Sequence, residues 1–206
     1  MQTIAFFSQK GGSGKTTLAV HAAVAAQESG KRVVIIDTDS QKSATTWGVA
    51  RTTATPVVAT AAATDLVRVL DAAREEQMTV AIVDTAPHAA PDAARIVRSV
   101  DLVVIPCRPS AFDIAAVSGA VDIVKAAAGS RAVFVLSACP TRSPEVAETR
   151  EILFGYGLPI APVEIMERRA FARAVATGRA VTEFESNGKA ANEIRMLWEW
   201  LQEQMA

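Results

Sequence analysis

The chain has 206 residues, a formal net charge of −1, and hydrophobic residues at 50% of its positions. This length suits one compact domain with a substantial core, so we expect a single domain over residues 1–206. The near-neutral charge argues against a protein that coats nucleic acid over its whole surface, but it allows a local basic patch.

Several features favour a cytoplasmic protein. Cys107 and Cys139 have no metal-ligand spacing, which favours reduced thiols. The start MQTIAFF has no basic segment and runs directly into a glycine-rich loop, so we do not expect a signal peptide. No apolar run reaches the length that spans a bilayer. Neither His21 nor His88 has a second histidine at ligand spacing, so no metal role is expected for either.

Apolar, β-rich runs alternate with helical stretches along the chain. The predicted strands cover residues 3–8, 32–37, 79–84, 102–106, 132–137 and a short run at 158–160. The predicted helices cover residues 15–29, 63–76, 89–98, 112–128, 144–155, 167–177 and 190–204. The strands are continuous hydrophobic runs, which is typical of strands buried on both faces of a parallel sheet. This order predicts an α/β fold with a mostly parallel, doubly wound sheet flanked by helices.

Polar motifs follow the predicted strands. The segment QKGGSGKTT follows the first strand, DTDSQ ends the second, DTAPHAAPD ends the third, and PCRPSAFD ends the fourth. Ligands of open α/β sheets bind at the carboxyl ends of the strands. We therefore expect the functional site to be built from these four segments.

The glycine-rich segment after the first strand is predicted to bind nucleotide phosphates. Glycines allow backbone N–H groups to close around phosphate oxygens, and the following helix N-terminus adds partial positive charge. Lys15 is expected to reach the β- and γ-phosphates, and the Thr16 hydroxyl to ligate Mg²⁺. Gln9 stands where the ordinary pattern G-x-x-x-x-G-K-[ST] has glycine. The predicted phosphate-binding residues are Gly11, Gly12, Ser13, Gly14, Lys15, Thr16 and Thr17.

Three aspartates stand at the ends of predicted strands. Asp37 and Asp39 end the second strand, and Asp84 ends the third. An aspartate that follows a hydrophobic strand and faces a phosphate loop is the expected ligand of Mg²⁺, often through water. The alternative for each is a helix N-cap, because aspartate is a preferred capping residue.

The run KGGSGKTT resembles the deviant Walker A motif of the ParA/MinD group of P-loop ATPases. The likeness continues through DTDSQ, DTAP, PCRPSAFD and ERRAFARAVATGRAVTEFE, and covers essentially the whole chain. The chain looks like the short ParA type, without an N-terminal helix-turn-helix domain. This resemblance implies ATP and Mg²⁺ as cofactors and a homodimer that encloses two ATP molecules. It also implies that Lys10 acts in trans, on the phosphates held by the partner subunit.

The resemblance assigns roles to individual residues. Asp84 is expected to be the Walker B ligand, Asp39 to orient or deprotonate the attacking water, and Asp37 to reach Mg²⁺ through water. Ser40 departs from the proline of the family pattern. The expected catalytic residues are Lys10, Lys15 and Asp39, and the expected metal-site residues are Thr16, Asp37 and Asp84. Adenine contacts are expected from Thr141, Arg142 and the stretch after Pro162.

The C-terminal region offers two alternatives, DNA or membrane. ParA proteins bind DNA without sequence preference through basic residues of this region. In this chain those residues are expected to be Arg168, Arg169 and Arg173. The alternative is that they are solvated surface arginines paired with acidic side chains. Membrane binding by a MinD-like tail is disfavoured, because the polar face of ANEIRMLWEWLQEQMA is acidic. The apolar face is expected to pack on the protein body, with Trp198 and Trp200 partly buried. Its members are Ile194, Leu197, Trp198 and Leu201.

The sequence thus favours a nucleoid-associated ATPase that partitions plasmid or chromosomal DNA. Its partners are expected to be a second copy of the chain, nonspecific DNA, and a ParB-like centromere-binding or cargo adaptor protein. Two alternatives are open: a positioning ATPase for a protein compartment or chemoreceptor cluster, and a MinD-like membrane-associated ATPase.

Overall fold

The computed structural model of the protein describes residues 1–87, 90–127 and 131–206. His88 and the outermost residues of two predicted helices, 89 and 128, lie outside this part. Within it the central element is a six-stranded sheet in which every pairing is parallel. Its strands are β1 (Gln2–Phe6), β2 (Val33–Asp37), β3 (Val57–Thr60), β4 (Val80–Asp84), β5 (Leu102–Cys107) and β6 (Arg131–Leu136).

The strand order β3-β2-β4-β1-β5-β6 brings the predicted motifs together. Every residue of β2, β4 and β5 is buried, as expected for continuous apolar runs covered on both faces. In the sheet register Asp84 lies beside Phe6 on one side and beside Asp37 on the other. The end of β1, where the glycine-rich loop begins, is therefore next to both aspartates.

Helices cover both faces of the sheet. One apolar core contains buried side chains of the first, second, seventh, eighth and ninth helices, and the other contains those of the third to sixth. This two-sided cover confirms the doubly wound α/β prediction. The helices are α1 (Lys15–Glu28), α2 (Ser43–Val49), α3 (Leu66–Glu75), α4 (Ala90–Arg98), α5 (Ala111–Ala126), α6 (Pro144–Phe154), α7 (Arg169–Ala176), α8 (Val181–Phe184) and α9 (Lys189–Gln204).

The prediction of a strand at 158–160 is wrong. Ile160 forms only an isolated bridge with Phe134. Pro159 has no N–H to donate to a ladder, although its carbonyl accepts a bond from the Phe134 N–H at 2.8 Å. The sixth strand is instead β3, at the opposite edge of the sheet.

The sequence patterns did not predict β3, α2 or the short helix α8. No residue of β3 is buried, so this edge strand lacks the continuous apolar run that marked the others. The α2 sequence SATTWGV contains β-branched, aromatic and glycine residues, which are mediocre or poor helix formers. Tertiary contacts, described below, hold this helix in place.

The C-terminal helix packs on the protein body, as predicted. The apolar face of α9 is buried, Trp198 is 2% exposed, and Trp200 is partly buried against the same core. The Trp198 Nε1–H donates a hydrogen bond to the Ser29 hydroxyl at 3.0 Å, which ties α9 to the end of α1. Among the helices of the described ranges, none combines the length and apolar character needed to cross a bilayer.

A buried histidine connects α1 to α7 and α8. His21 is fully buried, its Nδ1 accepts a hydrogen bond from the Val181 N–H at 3.2 Å, and its ring meets the edge of Phe171 at 5.1 Å between centroids. Burial lowers the pKa of His21 to about 3, so the imidazole is neutral at physiological pH. These contacts fix α7 beside the helix that follows the glycine-rich loop.

Candidate functional site

The glycine-rich loop joins β1 to α1 and requires glycine at two positions. Gly12 has a φ of 76° and Gly14 a φ of 102°, in the left-handed region that side chains rarely adopt. The Ser137 hydroxyl donates a hydrogen bond to the Ser13 carbonyl at 2.9 Å, which ties the loop to the end of β6. The loop is therefore held open at the N-terminus of a 14-residue helix, an arrangement suited to phosphate.

Lys15 begins α1 and is buried, with 6% of its surface exposed. Its Nζ donates a hydrogen bond to the Lys10 carbonyl at 3.0 Å. Burial lowers the pKa of the Lys15 ammonium, and the nearby negative charges of Asp84 and Asp39 oppose this effect. The structure thus brings the predicted phosphate-binding lysine close to both predicted carboxylates.

The carboxylate oxygens of Asp84 are available to bind a cation. Asp84 is fully buried, and neither of its oxygens has a partner at hydrogen-bonding geometry among the described residues. Burial raises its pKa from 3.8 to about 7; the nearby Thr16 hydroxyl and Lys15 favour the ionised form, while Asp37 and Asp39 disfavour it. A buried carboxylate without a partner beside a hydroxyl is suited to a divalent cation.

Few side chains that could bind a metal ion surround Asp84. The described ranges contain no group of three or more His, Cys, Asp or Glu residues that could hold a metal ion. Mg²⁺ usually takes one or two carboxylates and completes its shell with water and phosphate oxygens. Thr16 and Asp84 thus fit Mg²⁺ bound together with a nucleotide.

Asp37 is in a different situation, because both of its oxygens have partners. Its Oδ1 accepts the Asp39 N–H at 3.1 Å, and its Oδ2 accepts the N–H and the hydroxyl of Thr45, each at 2.8 Å. Asp37 is 2% exposed and accepts an N–H of the first turn of α2, although the N-cap residue of that helix is Lys42. Asp37 thus binds the helix start without being its N-cap, and its water-mediated approach to Mg²⁺ stays a prediction.

Two neighbouring cavities at the loop, together called the cleft, share lining residues of the loop. The first, about 330 Å³, is lined by loop residues and includes Lys15, Thr16 and Asp39. The second, about 290 Å³, shares Gly12 and Gly14 with the first and extends to the segment 165–168 and to α7. Together they offer one compartment with phosphate-binding groups and another with apolar walls.

The second cavity is lined by part of the predicted adenine-contacting region. Phe171 of α7 and Ile165 line it, in the stretch after Pro162. Thr141 and Arg142 lie exposed in the turn before α6 and line neither cavity. Their contact with adenine stays a prediction. Phe171 falls within the predicted stretch after Pro162, although no role was predicted for it individually.

Lys10 is turned away from its own phosphate cavity. Its ammonium forms an ion pair with Asp113 of α5 and lies 5.8 Å from the centroid of the Phe112 ring. Asp113 is 5% exposed, and its Oδ2 also accepts the Ser110 hydroxyl at 2.6 Å. Lys10 lines a separate surface cavity, and it does not line the phosphate cavity of its own subunit.

Gln9 replaces a glycine of the ordinary motif, and the structure shows what it contacts. Its side chain lies against α5 at Gly119, where an added Cβ would come within 2.1 Å of the Gln9 Oε1. The absence of a side chain at Gly119 therefore leaves room for Gln9. This contact fixes the start of the loop on the helix that also holds Asp113.

The three predicted DNA-binding arginines differ in their surroundings. The Arg168 guanidinium donates to Glu193 Oε1 from Nε at 2.9 Å and from Nη2 at 2.5 Å, and Arg168 also lines the second cavity. Arg169 and Arg173 are exposed on α7, four positions apart, with Arg173 5.3 Å from the centroid of the Phe184 ring. The exposed basic pair thus lies on the helix whose buried face borders the cleft.

Known proteins resemble this chain in sequence and in fold. The model of the CobQ/CobB/MinD/ParA nucleotide binding domain family matches residues 4–181. A protein ParA from Rhizobium radiobacter is 29% identical over 182 residues, which cover 83% of this chain and 81% of that protein. Apo McdA from Cyanothece superposes with a TM-score of 0.82 at 17% identity, covering 98% of this chain and 99% of that one.

A second solved structure has a similar fold. The cell division ATPase MinD of Pyrococcus furiosus superposes with a TM-score of 0.78 at 18% identity, covering 98% of this chain and 99% of that one. At such identities these structural matches establish the shared architecture.

The buried Asp84 generates a prediction about stability and pH. In the absence of metal and nucleotide, the folded carboxyl keeps its proton from about pH 4 to 7 while the unfolded one loses it, since its pKa rises from 3.8 to about 7. The free energy of unfolding should therefore fall as pH rises through this window, by up to about 1.4 kcal/mol per pH unit. Asp84→Asn should lack this slope and be the more stable protein at pH 8.

Urea unfolding in EDTA at several pH values measures this difference. The exposed Asp122→Asn, the same chemical change on α5, should follow the wild type. With Mg²⁺ and ATP the wild type should gain more stability than Asp84→Asn, because the variant has lost a metal ligand. Identical pH profiles for wild type and Asp84→Asn would contradict the assignment of Asp84 as a carboxyl whose pKa is raised by burial.

Proposed function

Because the chain belongs to the CobQ/CobB/MinD/ParA nucleotide-binding family, we propose that it is a Mg²⁺-dependent ATPase that forms an ATP-bridged homodimer and binds nonspecific DNA. The observation that carries the proposal is the position of Lys10. This lysine belongs to the glycine-rich loop but is directed to Asp113, outside the phosphate cavity of its own subunit. A cation in that position is available to phosphates held by a second subunit.

The two cavities support ATP as the substrate. The triphosphate would bind along the loop and Lys15, and the adenosine would fit the cavity beside Phe171. Thr16 and Asp84 would hold the Mg²⁺, which would supply positive charge to the phosphate oxygens when bound. Among the solved relatives, MinD from Pyrococcus horikoshii is a complex with Mg-ADP, and an aspartate-to-alanine variant of Cyanothece McdA is a complex with ATP.

Hydrolysis requires a water placed in line with the γ-phosphate. Asp39 lines the phosphate cavity, and its Oδ1 accepts the Gln41 N–H at 2.9 Å, so its carboxylate is held at the rim of the site. From there it accepts a hydrogen bond from the attacking water and orients it. Lys10 of the partner adds positive charge where negative charge accumulates in the transition state.

The dimer is also the state that binds DNA. The exposed pair Arg169 and Arg173 contributes phosphate contacts, and two subunits present two such pairs on one duplex. Arg168 contributes less, because Glu193 already neutralises its guanidinium. The burial of the apolar face of α9 supports DNA over a membrane as the docking surface, since that face is unavailable to lipid.

In the cell, this cycle moves a cargo over the nucleoid. With a ParB-like centromere-binding protein as partner, the cargo is a plasmid or chromosome. This partner stimulates hydrolysis and releases the dimer from DNA. The alternative is a protein cargo, such as a compartment or a chemoreceptor cluster, recruited by a different adaptor. Identification of the partner by co-purification separates the two, because only the first requires a sequence-specific DNA-binding protein.

Retention on DNA tests the central part of the proposal. Wild-type protein should be retained on nonspecific DNA with ATP or a nonhydrolysable analogue and released with ADP. Lys10→Ala should bind nucleotide but should not be retained in any state, because the dimer does not form. Lys125→Ala, an exposed lysine change on α5, serves as the control and should behave as wild type. Equal retention of wild type and Lys10→Ala with all three nucleotides would refute the proposal.

The salt dependence of retention tests the arginine assignment. In a plot of log affinity against log salt concentration, loss of one phosphate contact lowers the slope by about one. Arg169→Ala and Arg173→Ala should each weaken binding uniformly across DNA sequences and lower this slope. Arg98→Ala, an exposed arginine on α4, is the matched control. A slope unchanged in both α7 variants would place the DNA surface elsewhere.

A further inference from the structure

Asp39 is the first residue of a turn over residues 39–42, and Asp37 holds this turn through the Asp39 N–H. The Asp39 N–H donates to Asp37 Oδ1 at 3.1 Å, and the Asp39 carbonyl accepts the Lys42 N–H at 2.9 Å. Lys42 has a φ of 53°, so the chain reverses tightly there before α2 begins. The position of the Asp39 carboxylate therefore depends on where Asp37 holds the start of this turn.

Thr45 is the residue that holds Asp37. Asp37 Oδ2 accepts two hydrogen bonds at 2.8 Å, from the N–H and from the hydroxyl of Thr45. Any residue at position 45 can supply the N–H, whereas the hydroxyl bond depends on the side chain. Because Asp37 is almost fully buried, water does not readily replace a donor that is removed.

The far end of α2 is anchored to the protein body. The Trp47 Nε1–H donates to the Arg179 carbonyl at 3.1 Å. The guanidinium of Arg51 stacks 4.6 Å from the centre of the Trp47 ring, donates to the Gly178 carbonyl at 3.0 Å, and pairs with Glu183 at 2.8 Å. The Thr45 hydroxyl is thus presented from a short helix that cannot shift freely.

Given the ATPase activity proposed for this site, we propose that Thr45 is a positioning residue for catalysis, which acts through Asp37 to hold Asp39 against the attacking water. The chain of contacts runs from the Thr45 hydroxyl to Asp37 Oδ2, and from Asp37 Oδ1 to the Asp39 N–H. Thr45 does not line the phosphate cavity. Its effect is therefore on the rate of hydrolysis, and ATP binding does not depend on it.

Thr45→Val is the direct test, since valine keeps the shape and the β-branch and removes only the hydroxyl. Loss of this bond leaves Asp37 Oδ2 with the Thr45 N–H alone, which weakens the hold of Asp37 on the Asp39 turn. A displacement of about 1 Å at a reacting group is enough to lower kcat on the order of 10²-fold. We expect Thr45→Val to reduce kcat by about 10-fold to 100-fold, with the KM for ATP within about two-fold of wild type. Thr45→Ser, which restores the hydroxyl, should recover most of the rate.

Thr46→Val is the matched control. Thr46 is exposed on the same helix, and its hydroxyl donates to the Lys42 carbonyl at 2.9 Å instead of to Asp37. It should keep the wild-type kcat. A purely structural role for Thr45 would lower kcat, ATP affinity and melting temperature together and would not be rescued by serine, and that pattern overturns the inference. A wild-type kcat in Thr45→Val overturns it as well.

Amide hydrogen exchange provides a readout that needs no hydrolysis. In the nucleotide-free protein, Thr45→Val should speed exchange in a peptide covering residues 38–42, and Thr46→Val should change it less. Unchanged exchange in Thr45→Val overturns the positioning role whatever the activity. Faster exchange together with an inactive wild type would contradict the proposed ATPase function and leave the contact between Thr45 and Asp37 supported.

Discussion

The site depends on charge that is buried where β1, β2 and β4 end. Lys15, Asp37 and Asp84 are all buried there, although charged groups are normally excluded from protein interiors. Asp37 is satisfied by its neighbours, but among the described residues Asp84 has only the nearby Thr16 hydroxyl and Lys15 has only a carbonyl. The free protein therefore carries an electrostatic cost that a phosphate chain with a divalent cation would relieve. This is a physical reason for the site to bind both together.

The two lysines of the loop are kept apart by the same fold. Lys15 is the first residue of α1 and lies in the cleft, whereas the carboxylate of Asp113 holds Lys10 outside it. Asp113 is in turn held by Ser110 at the start of α5, and Gln9 rests on Gly119 of that helix. The proposed dimer requires Lys10 to exchange Asp113 for the phosphates of its partner. Each subunit would then contribute to a site that it does not itself contain.

Much of this arrangement was predictable from the sequence, because it depends on local patterns. Continuous apolar runs identify five of the six strands, and the glycines, Lys15 and Asp84 follow from their position after such runs. The missed elements depend on tertiary contacts instead. The edge strand β3 has no buried residue, and α2 forms from poor helix formers because Asp37, Arg179 and Glu183 hold it.

The partners of individual side chains could not be predicted for the same reason. The contacts of Lys10 with Asp113, of Asp37 with Thr45 and of Arg168 with Glu193 join residues of different elements. Sequence spacing carries no information about such pairs. As a result, the sequence analysis treated the three arginines as equivalent and saw Asp37 chiefly as a metal-site residue, whereas the structure distinguishes their surroundings.

The central claim, that Lys10 serves the site of the other subunit, is tested most directly by mixing two inactive proteins. Lys10→Ala and Asp39→Ala should each hydrolyse ATP poorly alone. In a mixed dimer, one site combines an intact Asp39 with the Lys10 of its partner, and the other site lacks both. Equal mixing should therefore raise the ATPase rate well above that of either protein alone, because the mixed dimer keeps one Lys10 in trans and one complete site. A mixture no more active than its two components would contradict action in trans.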